Sequence, residues 1–309
     1  MASFTAKAFK AKTNEVEVEV RPGRRLSIKQ VNAFSDDASS PNVAAAKKRG
    51  SISRLFNPLK GSVLFVHGSC ACKEQFDDLL LEMEPWLQKQ SYVAESFDAF
   101  GCGASEKPNH YDAYSERALQ EDLLQVYNKV KHPTTNFIVA HSYACSQVIK
   151  LVNELDESER SKVTKIVLIS GAMPGRDGGH PIMKLPTFLL NWLQPILSNE
   201  FRKKAFAPDA DPALLELAAS RSNTNPMFMC KAFYQQTSWA TMAEAQGVTP
   251  KTLVVHGAGD QILPVERGRA LAGALPNANF VQIDGVSHQI MEEKPKILCE
   301  ELVKFFTSA

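Results

Sequence analysis

The sequence predicts an α/β fold: a mostly parallel central sheet, opened by an N-terminal antiparallel hairpin and interrupted after its sixth strand by a helical segment. Three observations carry this. Short apolar runs alternate with amphipathic helical patterns between Ser62 and Gly171. Ahead of them, Glu15-Val16-Glu17-Val18-Glu19-Val20 has a period of two, turns at Arg21-Pro22-Gly23-Arg24 and returns through Leu26 to Val31. From Ala172 to about Val248 the alternation stops, and repeated prolines separate short helical patterns.

The chain of 309 residues is long enough for one large domain or a domain with an insertion. Charged residues make up 22% and hydrophobic ones 44%, ordinary for a soluble globular protein. A formal net charge of +1 gives no reason to expect nucleic acid as a partner. No apolar run reaches the length of a membrane span, and the polar stretch after Met1 is no secretory leader. Lys7, Lys10 and Lys12 precede the first acid, but without arginines they make a weak case for a transit peptide. The six cysteines have no framework or metal-binding spacing, which points to reduced thiols and a cytoplasmic location.

In chain order, the valines of the first strand should share one face and the glutamates the other. Ser27, after Arg24-Arg25-Leu26, lies inside a strand and makes a poor kinase substrate. Residues 35–60 are polar and basic with little periodicity, and are expected to form an exposed, mobile loop. Ser51, after Lys47-Lys48-Arg49-Gly50, is the more accessible phosphorylation candidate, against a plain solvated basic loop. The run Ser62 to Val66 is the third strand, followed by a helix from Lys73 to Gln90 with Phe76, Leu79, Leu80, Met83 and Leu87 on its core face. Tyr92 to Phe97 is the next strand, and a helix from Ser115 to Lys131 takes Ser115 as its N-cap. Lys165 to Gly171 is the sixth strand.

The stretch around Ser142 carries the chemistry. An apolar strand ends in Ala140-His141-Ser142-Tyr143-Ala144, and a helical pattern starts at once through Val148, Ile149, Leu151 and Val152. A strand, a one-residue apex and a helix lift a serine hydroxyl out of a sheet, with only small residues tolerated on either side. Here both flanking positions are alanine where glycine is usual. The backbone N–H of Tyr143 would then point at the oxygen under attack.

This stretch resembles the nucleophile elbow of the α/β-hydrolase superfamily. Four other places agree in order: His67-Gly68 after the third strand, Asp98-Ala99-Phe100-Gly101-Cys102-Gly103-Ala104-Ser105 after the fourth, Asp260 after Thr252 to Gly257, and His288 after Phe280 to Ile283. The resemblance implies an α/β-hydrolase fold of the capped esterase–lipase type. Its core would span 1–171 and 249–309, with a helical lid at 172–248. It implies Ser142 as nucleophile, His288 as general base and Asp260 as the acid that orients it, with Asp177 the weaker alternative. By position, the backbone N–H groups of Ser69 and Tyr143 would form the oxyanion hole. Asp98 would shape its loop without taking part in the chemistry, and Cys70, Cys72 and Cys102 would rim the site. His67 and His141 would be local structure, His256 would end a strand, and His110, His132 and His180 would be solvated.

Serine rather than aspartate at the elbow argues against the haloalkane dehalogenase and epoxide hydrolase branches. His-Gly-Ser-Cys-Ala in place of His-Gly-Gly-Pro-Gly argues against a proline iminopeptidase. The expected activity is hydrolysis of a carboxylic ester, lipid ester or thioester of moderate hydrophobicity, with C–C bond hydrolysis and acyl transfer further back. No cofactor or metal is expected. The apolar run Leu185 to Leu197 allows transient membrane contact through the lid, against a plain interface with the core. The alternative from another class is a catalytically silent receptor on the same fold.

Overall fold

The computed structural model describes residues 12–32, 59–173, 181–222 and 224–308. Nearly all of the basic 35–60 segment, Ser51 included, lies outside the described residues, as do Asp177 and His180. Strands β1 (Lys12–Arg21) and β2 (Arg24–Asn32) form the opening hairpin. They are followed by β3 (Gly61–Val66), α1 (Asp77–Gln90), β4 (Tyr92–Phe97), α2 (Glu116–Val130), β5 (Asn136–His141), α3 (Ala144–Glu154) and β6 (Val163–Ile169). Four helices come next: α4 (Thr187–Ala205), α5 (Pro212–Ser222), α6 (Met227–Gln236) and α7 (Met242–Gln246). The chain then returns to the sheet with β7 (Lys251–Gly257), α8 (Val265–Ala274), β8 (Ala278–Ile283) and α9 (Pro295–Thr307).

The described strands make one eight-stranded sheet in the order β1-β2-β4-β3-β5-β6-β7-β8. β2 pairs antiparallel with β1 and β4, and every other pairing is parallel. This is the mostly parallel sheet with an antiparallel opening that the sequence predicts. The inner strands are buried on both faces, and so they read as continuous apolar runs rather than alternating ones. Their side chains still divide by parity. Leu64, Ile138, Ala140 and Leu168 face α2 and α3, whereas Val63, Phe65, Phe137 and Val139 face α1 and α9. Each of these valine, leucine, isoleucine and phenylalanine side chains taken out of water contributes roughly 1.5–3 kcal/mol.

The valines of β1 are spaced by two along the strand, as expected of one common face, but they are covered unequally. Val20 is buried and Val18 packs against the core, but Val16 is 42% exposed, because the edge strand runs past the last helix that could cover it. Arg21 and Arg24 pin the hairpin to α2 by sharing the buried carboxylate of Asp122. Ser115 caps α2 as its position predicts, accepting from the N–H of Ala118.

The loop after β4 is organised by Asp98, which is fully buried. Its carboxylate accepts from the backbone N–H of Lys73 at 2.7 Å, from Lys73 Nζ at 2.9 Å and from the N–H of Ala104 at 2.8 Å. Gly103 has φ +48°, and a Cβ there would lie 2.2 Å from that carboxylate, so only glycine fits. Burial pushes the Lys73 ammonium down, but Asp98 and Glu74 outweigh it and hold it above its ordinary value. One end of the sheet is thereby fastened to the turn before α1.

Candidate active site

Parallel register brings the C-terminal ends of the central strands to one edge. Val66 pairs with Ala140, His141 with Ile169, and Ile169 with Val255. The three polar residues singled out in the sequence leave the sheet at this edge. Ser142 stands between β5 and α3 with φ +56°, a left-handed conformation that a non-glycine residue holds at a cost of about 1–3 kcal/mol. The turn is fixed because the Ser142 N–H donates to the carbonyl of Ile169 at 2.8 Å and its own carbonyl accepts from Cys145 N at 3.0 Å. Ala140 and Ala144 are both 0% exposed, which explains why the flanking positions must be small. Gly68 is forced by the same crowding: a Cβ there would sit 2.8 Å from His141 Nδ1 and 3.2 Å from Ser142 Cβ.

Asp260 follows β7 and His288 follows β8, and the structure brings both to Ser142. His288 Nε2 lies 3.0 Å from Ser142 Oγ, placed to accept its proton. His288 Nδ1–H donates to Asp260 Oδ2 at 2.7 Å, which fixes the tautomer. The other carboxylate oxygen accepts from the N–H groups of Ile262 and Leu263, both at 2.8 Å. Burial pushes the Asp260 carboxyl up, but hydrogen bonds from His256 and His288 outweigh it and hold it below the usual carboxylate range. The acid is therefore an anion throughout the neutral range.

Several further residues hold this arrangement; His67 and His141 were expected as local structure here, whereas His256, Ser170 and Ala205 were not singled out in the sequence for that role. His256, expected only to end a strand, is fully buried; its Nε2 lies 2.7 Å from the Leu263 carbonyl and 3.2 Å from Asp260 Oδ2. Its position four residues before Asp260, around two glycines, was the available signal. The carbonyl of His288 accepts from Ser170 Oγ–H at 3.0 Å and from His141 Nε2–H at 3.1 Å. The His288 N–H donates to the carbonyl of Ala205 at the end of α4, at 3.0 Å. Burial, and then the closeness of a second imidazole at His288, pushes the His141 imidazole well below its ordinary value, so a neutral ring packs beside His288. His67 is likewise pushed down, mainly by burial; its Nδ1–H donates to the Gly68 carbonyl and its Nε2 accepts from Ala99 N–H.

A cavity of about 640 Å³ opens over Ser142, and Ser69, Tyr143 and His288 also line it. Ser69 Oγ is 3.0 Å from the Tyr234 hydroxyl of α6. The Tyr143 ring stands edge-on to Phe233 and Trp239, and its hydroxyl donates to the Ser238 carbonyl at 3.0 Å. Cys70 and Cys72 belong to the cavity wall, but Cys102 does not line it. Cys102 is instead buried in the core, because its loop turns inward through a hydrogen bond from Cys102 N to the Ala99 carbonyl. Among the described residues no cluster of three or more histidines, cysteines or carboxylates is placed to hold a metal ion, and no helix is long and apolar enough to cross a membrane.

Comparison with known proteins agrees with this architecture. Protein ABHD8 from Homo sapiens is 28% identical over 251 residues, covering 79% of this chain and 54% of that protein. Epoxide hydrolase 1 from Caenorhabditis elegans is 21% identical over 272 residues, covering 80% of this chain and 65% of that protein. The chain thus spans about half the length of the ABHD8 proteins it matches. Among solved structures, an esterase from Exiguobacterium antarcticum superposes with a TM-score of 0.73 at 16% identity, covering 94% of this chain and 99% of the esterase. The family model described as serine aminopeptidase, S33, matches residues 57–295, more than half of the sequence. The chain therefore belongs to that α/β-hydrolase family.

Proposed function

We propose that this protein is a serine hydrolase that cleaves a carboxylic ester, lipid ester or thioester through an acyl-serine intermediate. The observation that carries the reading is the relay from Ser142 Oγ through His288, with contacts of 3.0 Å and 2.7 Å, to a carboxylate held ionised. A serine hydroxyl needs a base that takes its proton as the new bond forms. His288 Nε2 takes it, and Asp260 stabilises the resulting imidazolium. The oxyanion is assigned to the backbone N–H groups of Ser69 and Tyr143, each donor contributing about 10²–10³ in rate. His288 then returns the proton to the departing alcohol or thiol. In the second half it deprotonates the water that releases the acid. Side chains and backbone supply every step.

Residues 172–248 are read as a lid over a core formed by 1–171 and 249–309. Phe206, Phe233 and Trp239 from this segment wall the cavity, which supports the assignment. Phe188 and Trp192 lie on one face of α4 at 69% and 75% exposure, and this favours transient contact with a membrane surface. All six cysteines are free, which suits the reducing cytoplasm. The serine at the elbow separates the proposed chemistry from the carboxylate nucleophile expected of epoxide hydrolases.

A fluorophosphonate probe tests the reading. Labelling of the wild-type protein but not of Ser142→Ala is expected. Absence of labelling in both proteins contradicts a competent nucleophile and favours a silent receptor on the same fold.

A further inference from the structure

The walls of the cavity differ. Tyr143, Phe233 and Trp239 make one side largely aromatic. Gln75, Arg202, Arg221, Gln289 and Glu292 supply a polar part of the same lining. These five come from elements that touch one another. The turn Ile290–Glu293 packs on the turn Lys73–Phe76, α5 packs on α4, and Arg221 Nη1 pairs with Glu292 Oε1 at 3.0 Å.

This polar side is under-satisfied. Gln75 is only 4% exposed, and neither its Oε1 nor its Nε2 has a hydrogen-bond partner among the described residues. The Oε1 of Gln289 and the Nη1 of Arg202 are also buried without partners. Buried polar groups are nearly always paired, so a cluster of open ones in a cavity wall marks where a polar ligand completes the set. The charges indicate its sign. Glu292 offsets Arg221, Arg267 lies over the Trp239 ring on the aromatic side, and Arg202 is the lining cation on this side with no ion pair among the described residues. A planar guanidinium best matches a carboxylate, and the nearby Glu292 disfavours a dianion such as phosphate.

We infer that the substrate is an ester bearing a separate carboxylate group, which Arg202 binds while the Gln75 amide donates a second hydrogen bond. The oxygens of Gln75 and Gln289 accept from a hydroxyl, an amide N–H or a retained water beside it. The inference rests on the serine-hydrolase reading and names the substrate class of the same site.

Two esters of equal length test it: p-nitrophenyl hydrogen adipate, which carries a free carboxylate, and its methyl-capped neutral counterpart. Wild-type kcat/KM is expected to favour the free acid by about tenfold, in line with a hydrogen bond to a charged group. Arg202→Gln should bring that ratio close to one, mainly by raising KM for the charged ester. Gln75→Leu should lower the ratio by a smaller factor. Methyl hydrogen adipate, a monoanion with a neutral ester at its other end, should also bind Ser142→Ala protein in calorimetry and fail to bind the Ser142→Ala, Arg202→Gln double variant. No preference in the wild type, an equal loss on both esters in Arg202→Gln, or tighter binding of inorganic phosphate than of methyl hydrogen adipate overturns the inference and leaves the hydrolase reading standing. If Ser142 reacts with a fluorophosphonate but methyl hydrogen adipate does not bind Ser142→Ala protein, the inference alone fails. If neither ester is cleaved and Ser142 is unlabelled, the hydrolase reading fails and takes the inference with it.

Discussion

His256 Nε2 lies 3.2 Å from Asp260 Oδ2, the same oxygen that holds the imidazole of His288. Two histidines thus converge on one buried carboxylate, and only one of them reaches Ser142. In the proposed reaction His256 would act through the position and charge of Asp260. Removing it in His256→Ala should lower kcat about tenfold, part of the worth of a hydrogen bond to a charged group. His256→Gln, which keeps a donor, should retain more activity. Steady-state kinetics alongside thermal melting checks this, and full activity in His256→Ala would rule out the role.

Gly68 is predicted to be intolerant of even one methyl group. The Cβ of Gly68→Ala would press on His141 Nδ1 and Ser142 Cβ, so the turn and the proposed nucleophile must move apart. Overpacking of this kind costs roughly 1–3 kcal/mol. Displacing reacting groups by an ångström can cost about a hundredfold in rate. Activity should therefore fall far more than the melting temperature does.

The buried pair of Lys73 and Asp98 gives a stability prediction away from the reacting atoms. Asp98→Ala leaves the buried Lys73 ammonium with Glu74 as its remaining carboxylate partner and takes the acceptor from the N–H groups of Lys73 and Ala104, which should destabilise the fold by about 3–5 kcal/mol. Urea denaturation reads this directly. A change under about 1 kcal/mol would mean that water reaches Lys73 in the variant.

Much of this architecture was legible from local chemistry. Ser142, Asp260 and His288 each follow a strand end, and each sits in a short run whose small or turn-forming residues serve that one position. Parity along β3 and β5 was hidden because both of their faces are buried. The site's supporting contacts were hidden for a different reason. Ser170 and Ala205 meet the backbone of His288 across 118 and 83 residues, and nothing in their local sequence marks them. Cys102 was misplaced on the rim because a Gly-rich loop reads as exposed, whereas Asp98 pulls this loop inward. The open polar side of the cavity depends on three packed elements at once and has no sequence signal.

Glu95 in β4 should make stability depend on pH. It is buried, with Gln30 Nε2–H donating to one oxygen and no partner on the other among the described residues, and burial pushes its carboxyl up from 4.5 to about 8. The folded protein keeps this proton where the unfolded chain has lost it. The contribution is therefore fully present below about pH 4.5 and declines as pH rises toward 8, at about 1.4 kcal/mol per pH unit at most. Glu95→Gln should remove this slope and gain relative to wild type at pH 8.5. Chemical denaturation at pH 5 and 8.5 measures it, and parallel profiles for the two proteins would refute it.

The most direct test of the account is to trap the acyl-enzyme. Protein mixed with excess p-nitrophenyl ester, acid-quenched within milliseconds and digested, should show the acyl mass on the peptide containing Ser142. The adduct should be absent from Ser142→Ala and from His288→Ala. Steady ester turnover with no adduct, or an adduct on another residue, would contradict nucleophilic catalysis by Ser142.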